Sequence, residues 1–271
     1  MSELLKISVI IPTYNRSITL LQAVHSVLQQ TYPVSEILIC DDGSTDDSKE
    51  KIRQLNNPLV KWIECGRNGA PAIPRNIGIA RATGEWVAFL DSDDSWFPTK
   101  LHEQVKCILA TSCLAVSTNA TRLVATNKMK DYLVYTKNSI SLVDLLWRNS
   151  VIISSLIVNR SLLEKTELFP SERKFNAIED YALNLKIAAL VSISFVNKPL
   201  VLYFDMPSFS IRSSGSLTFY DQRKLATDHL LVWIEKNRIF FPNLNRLLIF
   251  FLNSPFVKIK YFLVKLFRDA I

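Results

Sequence analysis

The sequence contains no uninterrupted apolar run long enough to cross a bilayer, although 48% of its 271 residues are hydrophobic. A membrane-spanning helix needs about 18 or more such residues, so we expect none. Only four cysteines are present, and their spacing matches neither a zinc motif nor a disulfide framework. We therefore expect reduced cysteines in a cytoplasmic protein. The first six residues contain no apolar core of a signal peptide.

Charged residues are also few, at 21% of the chain, which excludes a disordered, highly charged protein. The formal net charge is +7, and this excess is compatible with nucleic acid, anionic lipid or phosphorylated ligands. The basic residues form no recognised nucleic-acid-binding motif, so we expect no nucleic-acid partner.

Short β-branched segments alternate with amphipathic segments in the first half of the chain. The predicted strands cover residues 7–11, 37–40, 60–63, 86–90 and 114–116. This alternation predicts an α/β protein with a mainly parallel, doubly wound sheet flanked by helices. The loops that follow parallel strands meet at one edge of such a sheet. We therefore expect residues 13–15, 41–42 and 91–93 to lie close together.

Three carboxylates, Asp91, Asp93 and Asp94, follow the apolar strand at 86–90. Like charges in such a cluster repel, and a divalent cation is their simplest stabiliser. Ligands that are all oxygen favour Mg2+ or Mn2+, which usually take further ligands from phosphates. The pattern thus indicates a metal–diphosphate site. The alternative is a solvated acidic turn in which Asp93 or Asp94 caps the next helix.

The alternation weakens after residue 117. The predicted elements of this second half are helices at 141–147 and 179–190 and strands at 151–158, 192–196 and 200–204. We interpret residues 118–240 as the half that recognises a second substrate.

Four short motifs resemble those of family 2 glycosyltransferases. They are SVIIPTYNR (8–16), DDGSTD (41–46), PRNIG (74–78) and FLDSDD (89–94). Their order and spacing over about residues 6–104 make the resemblance specific. It implies a GT-A (Rossmann-like) fold, a nucleotide-diphosphate sugar donor, a divalent metal and inversion at the anomeric carbon. It also implies a saccharide or lipid-linked acceptor in cell-surface polysaccharide or lipopolysaccharide synthesis.

The resemblance places Thr13, Tyr14 and Asn15 against the nucleoside, where they also end a strand. It implies recognition of the base, most often uracil, by Asp42. A carboxylate after the second strand can accept the imino N–H of uracil or a ribose hydroxyl. The alternative for Asp42 is a turn that caps the following helix.

Asp93 aligns with the last Asp of the family's Asp-x-Asp motif and is the predicted metal ligand. Asp91 is expected to contact the ribose or to bind metal through water, and Asp94 to cap a helix. Arg75 is expected to hold the nucleotide or the carboxylates by charge-assisted hydrogen bonds. A structural salt bridge is its alternative.

Inversion requires a base that takes the proton of the acceptor hydroxyl. The resemblance assigns this role to Asp180, which also suits the first turn of a helix. Some family members place a His near the end of the catalytic domain, where it helps to bind the metal or the diphosphate. The three histidines of this chain, His25, His102 and His229, are expected on helices as ordinary surface or satisfied polar residues. The corresponding segment, 208–216, contains Arg212, which we expect to face the phosphates from a closing loop. A plain flexible loop is the alternative.

Residues 241–271 form a basic amphipathic tail after the predicted catalytic domain at 1–240. At helical spacing Lys258, Lys265 and Arg268 share one face, and apolar residues share another. This pattern indicates a helix in an anionic membrane interface, and hence peripheral association with the inner face of the cell membrane. Packing on the domain or a partner subunit is the alternative.

The sequence thus predicts a metal-dependent inverting glycosyltransferase with residues 1–117 as its nucleotide-sugar half. A non-catalytic nucleotide-sugar-binding or scaffolding subunit of a synthesis complex is the second hypothesis. A nucleotidyltransferase is the third, but residues 12–16 are not the Gly-rich phosphate loop that it would require.

Overall fold

The computed structural model describes residues 4–123, 129–133, 137–204 and 218–239. Within these ranges ten strands form one sheet. In chain order they are β1 (Ile7–Thr13), β2 (Glu36–Asp41), β3 (Val60–Glu64), β4 (Trp86–Phe89), β5 (Ser95–Trp96), β6 (Ala115–Leu123), β7 (Met129–Asp131), β8 (Ser139–Ile140), β9 (Ile157–Asn159) and β10 (Ile193–Phe204). The sheet order is β3-β2-β1-β4-β9-β6-β10-β5, with β7 beside β6 and β8 beside β10.

Helices connect most of these strands. In chain order they are α1 (Ser17–Leu28), α2 (Ser48–Gln54), α3 (Ala72–Arg81), α4 (Lys100–Thr111), α5 (Leu142–Trp147), α6 (Arg160–Lys165), α7 (Glu179–Leu190) and α8 (Phe219–Lys236). None of the helices in the described ranges is both long and apolar enough to cross a membrane. The predicted tail at 241–271 lies outside the described residues.

The central strand β1 is buried along its whole length and pairs in parallel with both β2 and β4. Its side chains alternate between two apolar layers, because successive residues of a strand point to opposite faces. Val9 and Ile11 belong to one layer, and Ile10 belongs to the other. A strand covered on both faces explains why β1 is an almost continuous apolar run.

The sheet is parallel from β3 to β4 and mixed beyond β4. β9 lies between β4 and β6 and is antiparallel to both, whereas β6 and β10 pair in parallel. This mixed, helix-flanked sheet confirms the predicted GT-A class of fold. The carboxyl ends of β1, β2 and β4 still share one edge, since those three strands run in the same direction.

Four predicted strands differ in extent from the observed ones. The apolar run 151–158 forms a 3-10 turn (Ile153–Ser155) and only then β9, because a buried apolar run does not by itself specify a strand. The strand predicted at 114–116 extends to Leu123, through polar residues that are nevertheless buried. The two strands predicted around Pro199 are the single strand β10, whose pairing with β6 is irregular there because proline has no N–H to donate.

Gly78 allows α3 to lie close to the sheet. A Cβ at this position would be 2.7 Å from Ile10 Cγ2 and 2.8 Å from Cys40 Sγ. Real Cβ atoms do not approach other heavy atoms so closely, so a larger residue would push α3 away from β1 and β2. The close approach brings Arg75, one turn earlier on α3, to the edge where the acidic loop begins.

Candidate active site

A cavity of about 810 Å³ opens at the carboxyl edge of β1, β2 and β4. All eight described candidate residues line it: Thr13, Tyr14, Asn15, Asp42, Arg75, Asp91, Asp93 and Asp180. They come from five segments that are far apart in the sequence. The ninth candidate, Arg212, lies outside the described residues, so its contact with phosphates stays a prediction.

The segment after β1 supplies one wall of the cavity. Thr13 is buried, and its Oγ1 has no hydrogen-bond partner among the described residues. Tyr14 is 38% exposed, and the guanidinium of Arg67 lies 3.7 Å from its ring centroid. Asn15 has a left-handed backbone (φ 49°), and its Oδ1 accepts the backbone N–H of Thr45 at 2.8 Å. Asn15 therefore braces the loop that precedes α2.

Asp42 binds the loop that follows β3. Its Oδ1 accepts the backbone N–H of Asn68 at 2.7 Å, and its Oδ2 accepts that of Gly69 at 2.9 Å. Oδ2 also accepts a hydrogen bond from Arg67. An ionised carboxylate offers about four acceptor positions, and these three hydrogen bonds occupy three of them. The helix-capping alternative is wrong for Asp42, whose side chain instead holds the loop at 66–69.

The acidic loop after β4 brings three carboxylates together. Oxygen atoms of Asp91, Asp93 and Asp94 lie within 4.8 Å of one another. Asp93 is 35% exposed, and its Oδ2 accepts a hydrogen bond from Arg16 Nη1 at 2.9 Å. Burial and the charge of Asp91 raise the pKa of Asp93 above its usual range, whereas Arg16 acts in the opposite direction.

Asp94 does not cap a helix, so that prediction was wrong. It is 1% exposed, and its carboxylate accepts hydrogen bonds from the Ser154 hydroxyl and the Phe204 backbone N–H. The Ser154 Oγ also accepts the backbone N–H of Asp91 at 3.0 Å. Burial and the neighbouring charges of Asp91 and Asp93 raise the pKa of Asp94 well above its usual range. Asp94 thus anchors the acidic loop to the second half of the chain.

Arg75 joins the acidic loop to α7. It is 3% exposed and donates to Asp91 Oδ1 at 2.6 Å and to Glu179 Oε1 at 2.8 Å. Burial disfavours the charged guanidinium, but Asp91 and Glu179 outweigh this cost and raise the pKa of Arg75. The two alternatives for Arg75 therefore coincide, since it forms a buried salt bridge and holds a carboxylate of the cluster.

Asp180 lies in the first turn of α7 and also lines the cavity. Its Oδ1 accepts the backbone N–H of Tyr181 at 2.7 Å. The residue before it, Glu179, is buried and has one oxygen, Oε2, without a hydrogen-bond partner in the described part of the chain. Because Asp180 lines the cavity, its carboxylate can accept a proton from a group bound there.

Sequence reasoning missed four residues that shape the site: Arg16, Arg67, Ser154 and Glu179. Arg16 ends the motif SVIIPTYNR (8–16), and Glu179 directly precedes the predicted base Asp180. Arg67 and Ser154 carry no local signal, because their roles depend on partners 25 and 60 residues away.

A mixed sheet with this edge cavity and its carboxylates is that of the GT-A class of transferases. The family model "Glycosyl transferase family 2" matches residues 8–163, more than half of the chain. The chain therefore belongs to glycosyl transferase family 2.

Two curated relatives and one solved structure illustrate the similarity. The chain is 31% identical to the E. coli protein "UDP-Glc:alpha-D-GlcNAc-diphosphoundecaprenol beta-1,3-glucosyltransferase WfgD" over 70% of this chain and 73% of that protein. It is 33% identical to an uncharacterised glycosyltransferase of Rickettsia conorii over 81% of this chain. The S. aureus TarS fragment 1–349 in complex with UDP-GlcNAc matches with a TM-score of 0.75 and 22% identity, covering 92% of this chain and 72% of that one.

The match covers only part of several relatives. It spans 35% of the R. conorii protein and 15% of a protein from Rickettsia bellii. TarS, at 22% identity, supports the fold alone.

Proposed function

We propose that the chain is a metal-dependent inverting glycosyltransferase that uses a nucleotide-diphosphate sugar, with UDP as the first candidate. The observation that carries this proposal is the convergence of eight candidate residues from five segments on one cavity. The WfgD relative, 31% identical to this chain, is named for a UDP-sugar donor, which supports the choice of UDP.

The carboxylates fit a hard cation. Asp93 and Asp91 line the cavity and are partly exposed, and the potential ligand atoms of the cluster are all carboxylate oxygens. Burial and the neighbouring charge of Asp91 raise the pKa of Asp93, and a cation would relieve the repulsion between the two carboxylates. We propose Asp93, with Asp91 beside it, as the residues that would hold Mg2+ or Mn2+. When bound, such a cation stabilises the charge that develops on the departing nucleoside diphosphate.

The remaining roles follow from position. Thr13, with its unpaired hydroxyl, and Tyr14 would contact the nucleoside, and Asp42 would accept the imino N–H of the base at its remaining acceptor position. Asp180 would take the proton of the acceptor hydroxyl as the bond to the sugar forms. Residues 1–117 would thus bind the donor, and residues 118–240 would supply the base and the acceptor surface.

The acceptor is proposed to be a lipid-linked saccharide in cell-surface polysaccharide assembly. WfgD is named for a diphosphoundecaprenol-linked acceptor, and it matches along most of both chains. The basic tail at 241–271 supports peripheral attachment to a membrane where such an acceptor resides. Deletion of residues 244–271 should move the protein to the soluble fraction, whereas unaltered fractionation contradicts the anchor.

The test is a panel of nucleotide sugars offered with Mn2+ and with lipid-linked and free saccharides. Nucleotide release that requires both donor and acceptor is the expected result, and thermal stabilisation by one nucleotide identifies the base. The Asp93→Asn protein is the matched control, and it should release no nucleotide. Full activity of that control, or no release with any donor, contradicts the proposal.

A further inference from the structure

The two arginines that contact the acidic loop are held very differently. Arg75 is 3% exposed and fixed between Asp91 and Glu179. Arg16 is 29% exposed, lies directly before α1 and contacts Asp93, which is itself 35% exposed. Both Arg16 and Asp93 line the cavity. Arg75 also lines the cavity but is nearly buried between two carboxylates, whereas Arg16 is the more exposed of the two arginines.

We infer that Arg16 is an exchangeable counter-ion of Asp93, which passes from that carboxylate to the donor diphosphate when cation and donor bind. This inference rests on the proposed function, and in particular on Asp93 as the cation ligand. It assigns to Arg16 two successive partners, a carboxylate and then a phosphate group.

The first reason is competition for one carboxylate. The guanidinium lies 2.9 Å from Asp93 Oδ2, which is the distance of a charge-assisted hydrogen bond. A divalent cation on the same carboxylate would place a second positive charge within a few ångströms of Arg16. Since like charges repel in a partly buried site, cation and arginine weaken each other's hold on Asp93.

The second reason is the place to which Arg16 can turn. Its side chain is long, unbranched and partly exposed, so its guanidinium can move without unfolding a helix. The planar guanidinium offers paired N–H donors that match two phosphate oxygens. A donor diphosphate held beside Asp93 therefore gives Arg16 a new anionic partner in the same cavity.

The exchange predicts a specific thermodynamic coupling. In the native protein, cation alone must displace Arg16 and binds weakly, whereas cation and nucleotide together satisfy all charges and bind cooperatively. Replacement by an uncharged residue removes the competitor but also removes the phosphate partner. The cation should then bind more tightly by itself, and the nucleotide should bind more weakly beside it, so that the coupling between the two ligands falls.

The experiment is a titration of Arg16→Gln with Mn2+, alone and with UDP, followed by calorimetry and by the electron paramagnetic resonance of free Mn2+. We expect the Kd for Mn2+ alone to fall about tenfold and the Kd for UDP at saturating Mn2+ to rise about tenfold. Arg53→Gln is the matched control, because it removes the same charge from α2 and from outside the cavity, and it should behave as the native protein. Arg16→Lys, which keeps the charge, should preserve weak binding of Mn2+ alone.

The outcomes separate this inference from the proposed function. If native protein with UDP binds Mn2+, and Asp93→Asn abolishes that binding, an Arg16→Gln titration identical to that of Arg53→Gln overturns the exchange alone. If native protein binds no Mn2+ even with UDP, the metal assignment and the exchange both fall. Thermal unfolding of Arg16→Gln and Arg16→Lys establishes that both variants are folded before they are compared.

Discussion

Arg75 and Glu179 are 104 residues apart in the sequence, yet their side chains form an ion pair of 2.8 Å in which both are buried. This pair connects α3 to the first turn of α7, the helix that carries Asp180. The acidic loop is fixed to the same guanidinium through Asp91. The buried guanidinium of Arg75 therefore sets the position of the acidic loop relative to Asp180, the predicted base.

Replacement of Arg75 by alanine should destabilise the protein strongly. It would leave Glu179 buried without a counter-charge, and breaking a buried pair in this way costs about 3–5 kcal/mol. The free energy of unfolding in urea is the measurement. Arg53→Ala, which removes an exposed arginine, should stay close to the native value, and similar losses for both variants would contradict the proposed importance of the buried pair.

Asp180→Asn should abolish proton transfer while leaving the donor site intact. An amide cannot accept the proton, and loss of a general base typically lowers the rate by about 10²–10⁴-fold. The measurement is kcat for sugar transfer beside the Kd for UDP, which should stay within about twofold since Asp180 is not expected to contact the nucleotide. Retention of a tenth or more of the native kcat would remove Asp180 from the mechanism.

Asp42→Asn should weaken UDP binding by way of the base. The NH2 group of the amide would replace one carboxylate oxygen, so it could not accept the imino N–H of the base if it took that position. An unmade hydrogen bond of this kind costs about 1–3 kcal/mol. UDP should therefore bind about 5- to 150-fold more weakly. Ribose 5-diphosphate, which lacks the base, distinguishes the two roles of Asp42. If Asp42 only supports the loop, affinity for both compounds will fall equally.

Glu36 should make the stability of the protein depend on acid pH. It is 1% exposed, at the start of β2 and away from the cavity. Burial raises its pKa, but hydrogen bonds from Lys61, Ser8 and Thr83 lower it from 4.5 to about 2. Because the folded state has the lower pKa, this stabilisation is complete above pH 4.5 and is lost as the pH falls towards 2. It amounts to about 3 kcal/mol.

Urea unfolding at a series of pH values measures the effect of Glu36. The Glu36→Gln protein should be less stable than the native protein at pH 7, and the difference should shrink as the pH falls. All other carboxylates are common to both proteins, so the difference isolates Glu36. A difference that does not change with pH would contradict the assignment.

The sequence was informative wherever a local pattern was sufficient. Strand–helix alternation placed the carboxylates at one sheet edge, and the bounds of α7 agree with the predicted helix at 179–190. Prediction failed where distant partners decide the outcome. The burial of Asp94 depends on Ser154 and Phe204, and no pattern near Asp94 indicates either residue.

The extent of β6 illustrates the same limit. Residues 117–119 are Ser, Thr and Asn, which do not form an apolar strand pattern, but all three are buried. Asn119 compensates its burial by accepting the backbone N–H of Leu133 and donating to the carbonyl of that residue. Such compensation is visible only when both segments are placed in space.

The hydrogen bonds of Ser154 also have a consequence for chimeras made from two related proteins. Its hydroxyl contacts both the Asp91 amide and the Asp94 carboxylate, so the acidic loop takes part of its shape from the far half of the chain. A chimera joined near residue 117 would inherit the acidic loop from one parent and its support from the other. Such a chimera should keep the donor preference of the parent that supplies its first half only if Ser154 and Glu179 in its second half also come from that parent.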